Sequence, residues 1–189
     1  LLEWQIELLK RYGIEKIAIC CHYMSEKIKK QIGDGSKFVV DIIYFQESEP
    51  LGTGGAMKNA ESAVNDTVIV IYGDIFTDIN IKKLLDFHKS KKAEATIVLH
   101  ETDHPKDSDA VEVDDNGRIT RILGRGTDVR LAKSSIYVLE RVIFSYMKRR
   151  CSFEDGILPV VIENCNVFGY ITNEFIRDVG TLQRYEAVK

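Results

Sequence analysis

Glu49-Pro50-Leu51-Gly52-Thr53-Gly54-Gly55-Ala56, followed by Val68-Ile69-Val70-Ile71-Tyr72 and then Gly73-Asp74, is the stretch from which the rest of the chain is read. Glycines at a helix entrance let backbone amides come close to a ligand and adopt positive φ, and amides at a helix start point toward an anion or a base edge. The run 67–72 is apolar almost throughout, so both its faces are covered, as in the middle of a sheet enclosed by helices. An acid directly after such a strand stands where open α/β sheets hold their ligands, beyond the carboxyl ends of the strands. Each piece also has a plainer reading. The glycines suit an ordinary turn, and Asp74 suits a helix cap, although Asp78 or Asn80 is better placed to cap. Asp178, in Arg177-Asp178-Val179-Gly180-Thr181, is a second carboxylate far along the chain that suits either a turn before Gly180 or the same ion as Asp74.

Working outward, hydrophobic periodicity predicts a helix over 1–12 with Leu2, Ile6 and Leu9 on one side, stopped by Gly13 in a left-handed cap. A short strand at 16–21 follows, then a helix capped by Ser25 and ending near Gly33. Residues 38–45, rich in β-branched and aromatic side chains, read as a strand, and the glycine loop opens a helix through Ala63. Residues 80–91 form an amphipathic helix with Ile81, Leu84, Leu85 and His88 inward. His88 reads as a hydrogen-bonded core residue, since no second histidine sits at metal spacing. After a strand at 95–100, the runs 110–113 and 118–123 flank Asp114-Asp115-Asn116-Gly117, a strong hairpin signal. The remainder reads as a strand over 129–139, a helix over 142–149, a helix started by Ser152, strands at 167–171 and 175–179, and a terminal helix through Tyr185. Alternating strands and helices followed by antiparallel pieces predict an α/β, Rossmann-like three-layer sandwich around a mixed, mostly parallel central sheet.

The chain has 189 residues, 44% of them hydrophobic, enough for one substantial core, so a single domain over 1–189 is expected. A net charge of -3 without a basic run argues against nucleic acid or an anionic membrane as partner. No apolar stretch is long enough to span a bilayer, and no signal peptide is expected. Cys20 and Cys21 are adjacent, and Cys151 and Cys165 lie outside metal spacing, so all four read as reduced thiols of a cytoplasmic protein. Leu1 already lies inside a helix, from which an earlier segment of chain is expected.

Leu51-Gly52-Thr53-Gly54-Gly55-Ala56, the apolar strand into Gly73-Asp74, the hairpin before Ser135-Ile136-Tyr137-Val138, and Phe175 to Thr181 with Tyr185 together resemble the sugar-1-phosphate nucleotidyltransferases. These are the nucleoside-diphosphate-sugar pyrophosphorylases, and the likeness is nearest to the guanylyltransferases acting on mannose or heptose 1-phosphate. It covers essentially the whole chain in order. The resemblance implies that Leu51, Gly52, Thr53, Gly54 and Gly73 hold the nucleotide, with the backbone of Gly52, Thr53 and Gly54 at the base. Asp74 and Asp178 are implied as the catalytic acids that bind Mg²⁺ against the phosphates. Independently, magnesium prefers a few carboxylates together with phosphate oxygens, and two acids from separate strand ends supply that. The implied reaction joins a nucleoside triphosphate, with GTP favoured over UTP or dTTP, to a sugar 1-phosphate and releases pyrophosphate.

The family's signature strand and glycine-rich loop, with an Arg and a following Lys, are expected before Leu1; without them turnover should be absent or very poor. Two departures touch the sugar side. Gly124-Arg125-Gly126 stands where the family has Glu-Lys-Pro, and Lys133-Ser134-Ser135 where it has Asn-Ala-Gly. Arg125, Lys133 and Ser135 are the candidates for the sugar phosphate. These departures keep a catalytically silent nucleotide-sugar-binding relative as the alternative. A glycosyltransferase ranks lower, because Asp74-Ile75-Phe76 lacks two acids separated by one residue. The sugar, the base and any homo-oligomer stay open.

Overall fold

The computed structural model describes residues 1–102, 106, 108–181, 184 and 186. Helix α1 (Leu2–Arg11) ends at Gly13, whose φ of +76° is the left-handed cap its sequence predicts. Strands β1 (Lys16–Cys21) and β2 (Asp41–Gln46) pair in parallel, separated by helix α2 (Ser25–Ile32). The cap of α2 is Met24 in the left-handed region, not Ser25, whose side chain makes no capping bond. Val39 likewise takes φ of +60°, so the strand expected from residue 38 begins only at Asp41, after a short 3-10 turn. Helix α3 (Gly52–Asn59) stops short of the expected Ala63, with a separate 3-10 turn at Glu61–Ala63; strand β3 (Thr67–Ile71) follows, and after it a three-residue strand β4 (Ile75–Thr77) appears that has no periodicity to announce it.

Helix α4 (Ile81–Lys91) is capped by Asn80, whose side chain accepts the Lys83 N–H, and it leads into β5 (Ala95–Glu101). The hairpin β6 (Ala110–Val113) and β7 (Ile119–Gly124) turns at Gly117, with φ of +81°. Strand β8 (Leu131–Glu140) is followed by a 3-10 turn at Arg141–Tyr146 where a helix to 149 is expected. Ser152 accepts the Asp155 N–H and opens a wide helical turn, Phe153–Ile157, that runs into α5 (Leu158–Asn164). Strands β9 (Val167–Ile171) and β10 (Ile176–Asp178) are the last strands of the described residues. Tyr185 and the end of the expected terminal helix lie outside the described residues.

Strand β8 is the spine of a six-stranded sheet. It pairs antiparallel with β5 on one edge, and with β3 and β6 along the other. Alternate residues serve opposite faces. Ala95, Ile97, Leu99, Tyr137 and Leu139 pack with Phe144, Phe153, Leu158 and Val161 on one side. Val98, Ile136 and Val138 pack with Leu8, Ile79, Ile81 and Leu84 on the other. Helices therefore cover both faces, as a three-layer α/β sandwich requires. A third cluster, Ile6, Ile19, Ile32, Phe38 and Val40, joins α1 and α2 to the β1–β2 pair.

The sheet is mixed, but the balance of directions is the reverse of the expectation. Within the six-stranded sheet β5–β9 is parallel, while β3–β8, β5–β8, β6–β7 and β6–β8 are antiparallel. The cause is one reversed strand and one hairpin: β8 runs against all three strands it pairs with, β7 turns back against β6, and only β5–β9 is left parallel. Strand β3 has helices over both faces, yet it pairs only with β8 among the described residues, and β1 only with β2. His88 is a buried core residue as read, its ring nitrogens bonded to Thr96 Oγ1 at 2.8 Å and Glu140 Oε1 at 3.0 Å.

Candidate active site

The glycine loop is shaped first by protein, not ligand. The N–H groups of Gly54 and Gly55 both donate to Cys151 O, at 3.0 and 3.1 Å, and the Cys151 N–H donates to Leu51 O at 3.0 Å. A β-carbon on Gly52 would stand 2.6 Å from Cys151 O, one on Gly54 2.7 Å from Cys151 Sγ, and one on Gly55 2.5 Å from Arg149 O. The glycines thus let residues 149–153 lie flat against the start of α3, with Gly52 also at φ of +77°. The Leu51 N–H is committed to Glu47 Oε2 at 2.9 Å. Among the described residues this leaves the N–H groups of Gly52 and Thr53 without a protein acceptor at the helix entrance. The amides of Leu51 and Gly54 already serve the fold.

Strand β3 ends at Ile71, and the Tyr72 N–H continues its ladder to Ser135 O at 3.1 Å. The chain then turns back through Gly73-Asp74, with Ile75 N–H donating to Tyr72 O at 3.1 Å. A buried amide secures this turn: Gln5 Nε2 donates to Tyr72 O at 2.8 Å and to Ile75 O at 2.7 Å. Trp4 Nε1 donates to Thr77 O at 2.8 Å and its ring stacks on Phe76. Gln5 is a site residue that sequence reading passes over. Its signal is a polar side chain on the apolar stripe of an amphipathic helix, one turn from Leu2 and Leu9.

Asp178 arrives by way of a two-stranded ribbon. Strand β10 runs antiparallel to β4 with Asp178 opposite Ile75, and the Val179 N–H donates to Asp74 O at 2.8 Å. The two carboxylates converge at Gly180, where an added β-carbon would lie 3.0 Å from Asp178 Oδ1 and 3.3 Å from Asp74 Oδ2. Loss of water on one side, and then the Asp178 charge, hold the Asp74 carboxyl above the usual carboxylate range. Asp178 Oδ1 accepts the Gly180 N–H at 2.7 Å, and Oδ2 pairs with Arg184 at 3.0 Å. The donor set is two hard carboxylates at an exposed edge, which suits a magnesium ion that completes its shell with phosphate and water. Among the described residues no group of three or more His, Cys, Asp or Glu side chains gathers for a metal.

On the expected sugar side, Asp109 draws the two candidate cations together. Lys133 Nζ lies 3.0 Å from Asp109 Oδ2 with its side chain only 6% exposed, whereas Arg125 Nε, 3.5 Å from Asp109 Oδ1, belongs to a side chain 73% exposed. Asp109 escapes a sequence reading because it meets them only where β6, β7 and β8 end side by side. Ser135 sits at an irregularity of β8, where the register with β5 jumps between Ile97 and Leu99. Its carbonyl is the acceptor for the Tyr72 N–H, so it borders the Asp74 turn.

The family model for nucleotidyl transferases matches residues 1–189. The mannose-1-phosphate guanylyltransferase of Mycobacterium tuberculosis is 31% identical over 176 residues, 89% of this chain and 49% of that protein. The low-salt glycan biosynthesis nucleotidyltransferase Agl11 of Haloferax volcanii is 30% identical over 190 residues, 95% of this chain and 53% of that protein. The chain thus spans about half the length of the curated relatives it matches. The crystal structure of HddC from Yersinia pseudotuberculosis superposes with a TM-score of 0.86 at 24% identity, covering 98% of this chain and 82% of that one, a likeness of fold. With the family model matched along its full length, the chain belongs to the nucleotidyl transferase family, and in sequence it is similar to mannose-1-phosphate guanylyltransferases.

Proposed function

We propose that this domain, within its full-length protein, joins a nucleoside triphosphate to a sugar 1-phosphate, yielding a nucleoside-diphosphate sugar and pyrophosphate. The observation that carries the reading is the convergence of Asp74 and Asp178 at Gly180, from segments far apart in the chain, in a domain whose glycine loop leaves two helix-entrance amides unclaimed. In this reading the Gly52 and Thr53 amides face the base, with Leu51, Gly54 and Gly73 shaping the loop and turn around the nucleotide. Asp74 and Asp178 would hold Mg²⁺, which when bound neutralises charge on the phosphates. Bond exchange at phosphorus needs alignment and charge compensation more than covalent help from the protein. A phosphate oxygen of the sugar phosphate attacks the α-phosphorus as the bond to pyrophosphate breaks. Arg125 and Lys133 supply positive charge for the sugar phosphate, with Asp109 as their resident counter-ion, and Ser135 borders the reacting end. The names of the curated relatives favour GTP and a mannose-like sugar 1-phosphate. No helix among the described residues is long and apolar enough to cross a membrane, and we assign the reaction to the cytoplasm.

The test is pyrophosphate release by full-length protein with magnesium, GTP, UTP or dTTP, and a panel of sugar 1-phosphates. At least one pair should turn over, and Asp74→Asn or Asp178→Asn should lower kcat by about 100-fold or more while leaving the melting temperature nearly unchanged. Binding of nucleotide without turnover in any combination would instead identify a silent relative.

A further inference from the structure

Glu154 collects hydroxyl groups from three separate elements, and none of the roles above uses it. Thr53, at the start of α3, donates through Oγ1 to Glu154 Oε2 at 2.7 Å. Tyr72, two residues before Asp74, and Tyr137, in the middle of β8, both donate their phenol hydroxyls to Oε1, the latter at 3.2 Å. Thr53 Oγ1 in turn accepts the Phe153 N–H at 2.8 Å, so the threonine is held from both sides by the turn that bears Glu154. An ionised carboxylate is acceptor-only, and here every partner is a donor. Burial first, then the Glu154 charge, raises the Tyr137 hydroxyl far above its ordinary value, so this phenol stays a protonated donor at every working pH.

The elements joined are informative. Thr53 carries one of the two unclaimed amides, and Tyr72 leads directly into the turn that presents Asp74. We infer that Glu154 is a positioning residue, setting the spacing between the glycine loop and the Asp74 turn so that one nucleoside triphosphate meets base-facing amides and metal-binding carboxylate together. The inference rests on the nucleotidyl-transfer reading for the identity of the ligand. Hydrogen bonds to a charged acceptor are the strong ones, and a half-buried carboxylate with three hydroxyl donors resists displacement.

Glu154→Gln keeps the volume but puts an amide NH₂, a donor, where a hydroxyl donates, so at least one of the three bonds as they stand is lost. In the full-length protein this variant should weaken binding of a fluorescent magnesium–nucleoside triphosphate, and raise its KM, by about 10-fold, with less than about 2-fold change in the KM for sugar 1-phosphate. Binding of the corresponding nucleoside, which reaches only the glycine loop, should fall by less than about 3-fold. Tyr72→Phe, which removes one bond and adds no clash, should weaken triphosphate in the same direction and serves if the glutamine variant does not fold. Unchanged triphosphate affinity in both variants overturns the inference. So does a parallel loss for nucleoside, triphosphate and sugar phosphate alike, which marks general destabilisation. A wild-type protein that binds triphosphate but never releases pyrophosphate sinks the proposed reaction and still leaves these binding comparisons to decide the role of Glu154.

Discussion

Asp74 ionises beside a second carboxylate, and both causes of its raised pKa, lost hydration first and Asp178 second, favour the protonated form in the folded protein. The folded state therefore binds more protons than the unfolded chain just above the ordinary carboxylate range. Stability contributed by this site is present below that window and is lost as pH rises through it. A bound cation reverses the preference, since it requires the ionised form. Replacing Asp178 by Asn removes the second cause only. In metal-free protein, the Asp74 titration followed by carboxyl-carbon NMR should move down toward the usual range without reaching it; an unmoved midpoint would show that the two carboxylates do not sense each other.

The start of α3 and the segment at Arg149 to Phe153 act as one unit, bound by three backbone hydrogen bonds to or from Cys151 and by the Thr53–Glu154 pair. Gly55→Ala drives a methyl group against Arg149 O and Leu51, where backbone has to shift, and should cost about 1–3 kcal/mol in chemical denaturation. Gly73→Ala is the contrasting case. No atom lies within 4 Å of its added β-carbon, so stability should change by less than about 0.5 kcal/mol. If Gly73 lines the nucleotide, the same variant should nevertheless raise the triphosphate KM, a result that stability measurements alone would never register.

The arrangement of sheets makes its own demand. Because the Tyr72 N–H donates to Ser135 O, the alternation of an antiparallel ladder turns the Val70 and Val68 amides toward β8 and the Ile69 and Ile71 amides toward the other edge of β3. That edge has no partner among the described residues, although Ile69 and Ile71 pack into the core on one face. In hydrogen exchange on the 189-residue chain, Val68 and Val70 should be protected and Ile69 and Ile71 should exchange about 100-fold faster or more. In a longer protein whose own strand closes this edge, all four become protected. Equal protection in the 189-residue chain would mean that copies of the chain pair through β3, the familiar hazard of an open apolar edge.

Local chemistry was readable where a residue's role depends on its immediate neighbours. Gly13 and Gly117 adopt the left-handed conformations their turns need, Asn80 and Ser152 cap the helices that follow them, and the acid after β3 stands at the strand end. Val39 and Met24 were not readable, since nothing in a valine or methionine announces positive φ. The direction of most strand pairs, the three-residue strand β4, and the company kept by Gln5, Asp109 and Glu154 depend on partners roughly 15 to 100 residues away. Hydrophobic period and turn chemistry act over a few residues, so they specify helices, strands and glycine turns one at a time. Which carboxylate meets which hydroxyl, and that Asp74 meets Asp178 at all, follows from packing the assembled layers against one another.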